Sequence, residues 1–346
     1  MDLKALIESV HRQGGSEIHL KVGAPPLMRQ NKNLKRLQIP NVIQSDLDGI
    51  INEYLSAIDK QKLQESKDFE NNYFDQASFS FRLNIFRSQG QIQIKIHLIK
   101  KDIMQLEEIG FPETFSQLLD SKSGLIILSG PSRSGISTSL AAMIERINKT
   151  RESHILVLED PIENVFKSKK SIITQRQIRK DVQSIEQGIT FAKRMDVDVL
   201  ALGDIRKELP LKSIIDYVDG GHLVIATMQT LGIQNTLEKI LSSFFVSDRP
   251  VLAGMLAHDL LGICSQTLIF NPIKQIMVPI HEIMTMNHIM RGIIQKEKIA
   301  QIESNINSAG PGSRLFDAHI GKLVLDNIIS KEIADSFLAT YRAQKG

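Results

Sequence analysis

The strongest chemical signal in the chain is the run Gly130-Pro131-Ser132-Arg133-Ser134-Gly135-Ile136-Ser137-Thr138. An apolar stretch that reads as a strand precedes it, and a pattern that reads as a helix follows. That is the setting of a phosphate-binding loop, in which main-chain N–H groups and a helix N-terminus face an anion and a Ser or Thr hydroxyl holds magnesium. Gly130, Ser132, Arg133, Ser134, Gly135, Ile136, Ser137 and Thr138 are therefore the candidate nucleotide contacts, and Ser137 is the candidate magnesium ligand. The pattern G-x-x-x-x-G-K-[ST] places lysine after its second glycine, and this chain has Ile136 there. A branched hydrocarbon cannot follow a transferring phosphoryl group with positive charge, so hydrolysis is expected to be severely reduced and nucleotide affinity weakened. Taken alone, the fragment is also readable as two ordinary turn glycines.

Around this loop the apolar periodicity predicts strands at 125–128, 155–158, 171–174, 197–202 and 222–226. Helices are predicted at 138–147, 184–193, 233–244 and 251–264. Apolar strands alternating with helices imply a sheet covered on both faces. A hairpin is expected over 267–283, then helices from Asn287, Lys296, Leu315 and Lys331. Before residue 100 the pattern predicts a helix at 3–10, a strand at 17–21, a turn at Ala24-Pro25-Pro26 and helices near 45–55 and 59–63. Phe79, Phe81, Leu83 and Ile85, then Ile92, Ile94, Ile96 and Leu98 after the turn at Ser88-Gln89-Gly90, alternate as an antiparallel hairpin should. The expected division is residues 1–100, a linker at 101–117, and 118–346.

The chain of 346 residues carries 42 Lys plus Arg against 39 Asp plus Glu, one cysteine and no tryptophan. Its length fits two modest domains. A net charge of +3 lacks the basic excess of a protein devoted to nucleic acid, so no nucleic-acid partner is expected. Cys264 stands alone in a stretch that reads as an apolar helix, which leaves no disulfide framework and suits a buried small side chain in a cytosolic protein. The start MDLKALIESVHRQGG reads as an amphipathic helix without the features of a signal peptide. The most apolar runs are too short or too interrupted to span a bilayer. His19 and His154 lack partners at zinc-ligand spacing.

Further boxes occur in order: Gly14-Gly15-Ser16-Glu17-Ile18-His19-Leu20; Leu158-Glu159-Asp160-Pro161-Ile162-Glu163; Arg194-Met195-Asp196-Val197-Asp198 with Gly203-Asp204-Ile205-Arg206; and the run from Gly221-His222 to Gln229-Thr230. Through these boxes the chain resembles, over essentially its full length, the type IV pilus retraction ATPases and, more broadly, the secretion ATPases of type II and type IV pilus systems. The resemblance implies an α/β protein with a PAS-like α+β N-terminal domain and a RecA-like P-loop NTPase domain with C-terminal helices. It also implies a hexameric ring that binds ATP or ADP with Mg2+ between subunits. It assigns Glu159 as the catalytic carboxylate, and Asp204, where the family has glutamate, as a shortened carboxylate and metal ligand. His222 is the retained member of a histidine pair whose second position is Gln229. Arg82 is the first of the hairpin arginines that reach phosphate across a subunit boundary. The later ones fall at Gly90 and His97, with Arg87 and Lys95 as partial substitutes; the alternation leaves open whether Lys95 points to the wrong face. Only an arginine, Arg291, survives from the family's C-terminal Ala-Ile-Arg-Asn-Leu-Ile element.

The changes at Ile136, Arg133, Asp204, Gln229 and the hairpin arginines fall around one phosphate, while core positions look sound. The reading that follows is a ring-forming homologue with little hydrolysis of its own, structural or regulatory in pilus retraction, beside an active paralogue. It would be cytoplasmic, without a membrane span, and would meet an inner-membrane pilus platform protein peripherally. The alternatives are a working motor with positive charge relocated to Arg133, and a nucleotide-independent adaptor of the pilus or secretion machine.

Overall fold

The computed structural model describes all residues except 31, 32, 67, 76–79, 100–102, 204–209 and 344–346. The chain divides into two compact units, Met1–Asp102 and Ile103–Gly346. In the first, strands β1 (Glu17–Lys21), β2 (Leu27–Gln30), β3 (Asn33–Arg36), β4 (Asp68–Asp75), β5 (Ser80–Ser88) and β6 (Gln91–Ile99) form an antiparallel sheet in the order β3-β2-β1-β6-β5-β4. Ser88 pairs with Gln91, and Gln89 and Gly90 between them both have positive φ, the two-residue turn whose twist suits a hairpin. The helix Leu3–Arg12 starts on the Asp2 carboxylate, which accepts from Ala5 N–H, and buries Leu3, Leu6, Ile7 and Val10 at helical spacing. Those side chains share a core with Ile18, Leu20, Phe81, Leu83, Ile85, Ile94, Ile96 and Leu98 from one face of the sheet.

In the second unit, β7 (Gly124–Ser129), β8 (His154–Glu159), β9 (Ile172–Gln177), β10 (Val199–Gly203), β11 (Leu223–Met228), β12 (Leu260–Asn271) and β13 (Ile276–Thr285) form a mixed sheet in the order β13-β12-β7-β11-β10-β8-β9. Only the β12–β13 pair is antiparallel. Alternate residues of the parallel strands enter different cores. Ile126, Leu128, Val199 and Ala201 pack with Leu140, Met143, Ile144 and Ile147 of the helix Ile136–Thr150. Leu125, Ile127, Leu200 and Leu202 pack with the helices on the other side. The C-terminal helices Phe316–Leu325 and Lys331–Ala343 close a further core over the β12–β13 hairpin through Phe316, Ile320 and Tyr341.

The structure corrects several expectations. From residue 103 onward the stretch read as a linker is folded into the second unit, with Leu106, Ile109, Phe111 and Phe115 buried in its core. The helix expected to run to residue 264 ends at Asp259, and Cys264 lies in β12, buried, its thiol pKa pushed far up by desolvation. Strands β2 and β3 and the helix Leu211–Val218 have no counterpart among the expected elements. Phe79 of the hairpin alternation lies outside the described residues. Among the described residues, no helix is long and apolar enough to cross a membrane.

Candidate functional site

The candidate loop joins the end of β7 to the helix Ile136–Thr150, at the edge where the parallel strands end. Gly130 N–H donates to the Met228 carbonyl at 3.1 Å, which ties the loop to β11, and Ser134 N–H turns back to Pro131 O at 3.1 Å. Gly135 is left-handed at φ 85° and caps the helix without a side chain. The N–H groups of Ile136, Ser137 and Thr138 belong to the first turn, which has no acceptors within the helix, so they supply the positive end expected of an anion site. Arg133 is also left-handed, at φ 65°, and its side chain is exposed. A Cβ on Gly130 would stand 2.3 Å from the Gln266 main-chain oxygen and 2.5 Å from Ser134 Oγ, so only glycine permits this close approach.

Ile136 is half-buried and packs against the cluster that contains Ile126, Leu128 and Leu140. Its hydrocarbon is thus part of the helix-to-sheet core.

Glu159 ends β8 and is buried, with its carboxylate over Gly203 at the end of β10; a Cβ on Gly203 would meet Glu159 Oε1 at 2.8 Å. By strand spacing it stands about 14 Å from β7 along the same sheet edge. Neighbouring Asp160 pairs with Arg179. Asp204, the companion carboxylate, lies outside the described residues. His222 precedes β11 at the opposite edge, where Gly124 N–H donates to its carbonyl and its ring stacks on Tyr217 at 4.3 Å between centroids. The length of β11 puts it about 20 Å from the loop, so the chain itself does not bring His222 to the phosphate position; Gln229 is the box residue at the loop's end of that strand.

Arg82 belongs to the first unit. Register sets Arg82 opposite His97, His97 opposite Glu17, and Glu17 opposite Arg29, a row across four strands. Lys95, two residues from His97, shares that face, which resolves the open question of its direction, whereas Arg87 has the opposite parity. Glu17, only 6% exposed, is bridged by Arg29 Nε and Lys95 Nζ, each at 2.8 Å, and by His19 Nε2 at 3.4 Å. The neighbouring His19 and His97 imidazoles, then the Lys95 and Arg29 cations, hold its carboxyl far below the usual carboxylate range against the desolvation of burial. His154 is a satisfied structural histidine, with Nδ1 at 3.1 Å from Met195 O and Nε2 at 2.9 Å from Thr174 Oγ1. Among the described residues no cluster of three His, Cys, Asp or Glu side chains is arranged to hold a metal ion.

Sequence reasoning missed Gln266, which touches the loop from β12. The available signal was an amide inside the apolar run of a strand, because a buried amide requires partners on each side.

The sequence matches the family described as "Type II/IV secretion system protein" over residues 2–278. It is 32% identical over 343 residues to the type IV pilus retractation ATPase PilT of Pseudomonas aeruginosa, covering 96% of this chain and 97% of that protein. It is 28% identical over 346 residues to the type IV pilus ATPase PilU of the same organism, covering 96% of this chain and 88% of that one. A crystal structure of the pilus retraction motor PilT with bound ADP superposes with a TM-score of 0.87 at 30% identity, covering 96% of each chain.

Proposed function

The chain belongs to the type II/IV secretion system protein family, and from that premise we propose that it is a hexamer-forming relative of the pilus retraction ATPases that binds ATP or ADP weakly and hydrolyses little. Its part in pilus retraction is structural or regulatory, beside an active paralogue and against an inner-membrane platform protein, at the cytoplasmic side. The observation that carries this reading is Ile136: its side chain is engaged in the core, so that position supplies no cation to a phosphate. The glycine cradle and the uncapped helix N-terminus fit a phosphate group. Ser137 and Asp204 would hold Mg2+, Glu159 would face the catalytic water, and Arg82 would reach a neighbouring subunit's nucleotide from a PAS-like domain. A bound nucleotide would supply the phosphoryl group that the family's motors transfer to water. The test is steady-state ATP hydrolysis by the purified hexamer, alongside calorimetry of ADP binding to wild type and Ile136→Lys. Affinity gained by the lysine variant supports the reading, and a wild-type turnover of about 1 per second or faster overturns it.

One observation favours a second reading, an active motor with a rearranged site. Arg133 is exposed in the loop in a conformation that non-glycine residues seldom adopt, and it is the one guanidinium in the loop. If turnover is found and Arg133→Ala abolishes it, the charge has moved there.

A further inference from the structure

The phosphate loop is shaped against a single residue from another strand. A Cβ on Gly130 would collide with the Gln266 main-chain oxygen at 2.3 Å, and one on Gly135 would meet Gln266 Nε2 at 2.8 Å. Both glycines of the motif therefore answer to the same neighbour. The Gln266 side chain, on a residue 2% exposed, has three partners: Nε2 donates to Ser134 O at 2.8 Å, and Oε1 accepts from Ser139 Oγ at 2.6 Å and from His281 Nε2 at 3.0 Å. The orientation of the amide follows from chemistry. A carbonyl only accepts, so the NH2 must face Ser134, and the two remaining groups must both donate to Oε1. The His281 proton is then on Nε2. Burial, with the nearby His319 and Arg314, pushes the His281 pKa well below the usual histidine value, and its main-chain N–H donates to His319 Nδ1 at 2.9 Å.

We infer that Gln266 is the positioning residue of the phosphate site. Its NH2 draws the Ser134 carbonyl toward β12, and because the peptide is planar and trans, the Gly135 N–H then points the other way, out of the loop. Ser139 and neutral His281 fix the amide in the one orientation that does this. The inference rests on the reading of the loop as a phosphate site, yet the role of Gln266 in shaping it is measurable without nucleotide.

The experiment is amide hydrogen exchange on the full chain, followed at residues 134–140 for wild type, Gln266→Glu and Gln266→Leu between about pH 8 and pH 5, the range into which burial raises a glutamate. In Gln266→Glu at the upper end of that range, the introduced carboxylate opposes the Ser134 carbonyl, and protection of the segment falls about tenfold, the scale of one lost hydrogen bond. Once the new carboxyl is protonated, its O–H donates as the amide did, and protection returns. Gln266→Leu stays unprotected throughout, and the helix Leu211–Val218 is unchanged in all three proteins. Protection factors in Gln266→Glu that show no pH dependence, or a loss spread evenly through the unit, overturn the inference. ADP calorimetry on the same proteins separates the two questions: wild type that fails to bind ADP counts against the proposed nucleotide site, while exchange still decides Gln266.

Discussion

The candidate phosphate loop and the charged face of the first unit's sheet concentrate unusual chemistry in opposite ways. The loop is one continuous stretch whose shape is held by main-chain hydrogen bonds, two glycines and the Gln266 amide. The side chain at position 136 contributes little to that shape, so isoleucine can stand there and join the core without disturbing the turn. The charged face is assembled from four strands, and its centre is one carboxylate shared between two cations, Arg29 and Lys95. There the side chains are themselves the structure, and a change at the centre alters every partner. A side chain of the first kind of site can therefore change while the turn persists, whereas a change at Glu17 disturbs the whole face.

The largest expected effect follows from that contrast. Glu17→Ala leaves Arg29 and Lys95 facing each other without the carboxylate between them and should cost about 3 kcal/mol, measured by urea denaturation. The pH dependence has a definite sign. Since the folded pKa of Glu17 is depressed, its stabilising contribution is complete above the unfolded value near 4.3 and is lost progressively as pH falls below it. Glu17→Gln should therefore flatten the acid limb of the stability curve; an unchanged acid limb would show that the carboxylate does not hold the face together.

Much of the loop is legible in the sequence because its information is local: glycine spacing, a strand before and a helix after. The charged row is not, because parity along one strand cannot say which residues of β1 and β2 continue the row begun by Arg82 and His97 until register is known. The start of β12 misleads for a related reason. Lying between β7 and β13, it is buried on both faces, so Leu260, Ile263 and Cys264 show no alternation and resemble a continued helix. Gln266 sits in that same stretch, which is why the loop's support stays hidden when the loop itself does not. His222 shows the converse: ten consecutive residues read as one box, while the strand between carries the two ends to opposite edges of the sheet.

Gly130→Ala tests the loop side of the contrast. The new methyl cannot be accommodated by a side-chain rotation, because the nearest atom is the Gln266 main-chain oxygen. A cost of about 2 kcal/mol is expected, confined to the second unit by hydrogen exchange and accompanied by loss of ADP binding. A silent substitution would mean the loop readily adopts another shape. Lys95→Met should be milder, at most about 1 kcal/mol, because the ammonium is partly solvated and Arg29 still pairs with Glu17. If it instead matches Glu17→Ala, the lysine and the carboxylate act as one unit and the face is more tightly coupled than its exposure suggests.

The smallest effect is expected at His222. Its ring stacks on buried Tyr217, so His222→Ala should lose about 0.5 kcal/mol of stability. Because β11 holds it about 20 Å from the loop, ADP affinity of a single isolated chain should stay within about twofold, inside the spread of distant, independent sites. A tenfold loss of ADP affinity in the single chain would contradict this placement. The same loss appearing only when subunits assemble would mean that His222 acts on a neighbour's nucleotide, and the contrast would then be between a loop complete within one chain and a histidine that works only across a boundary.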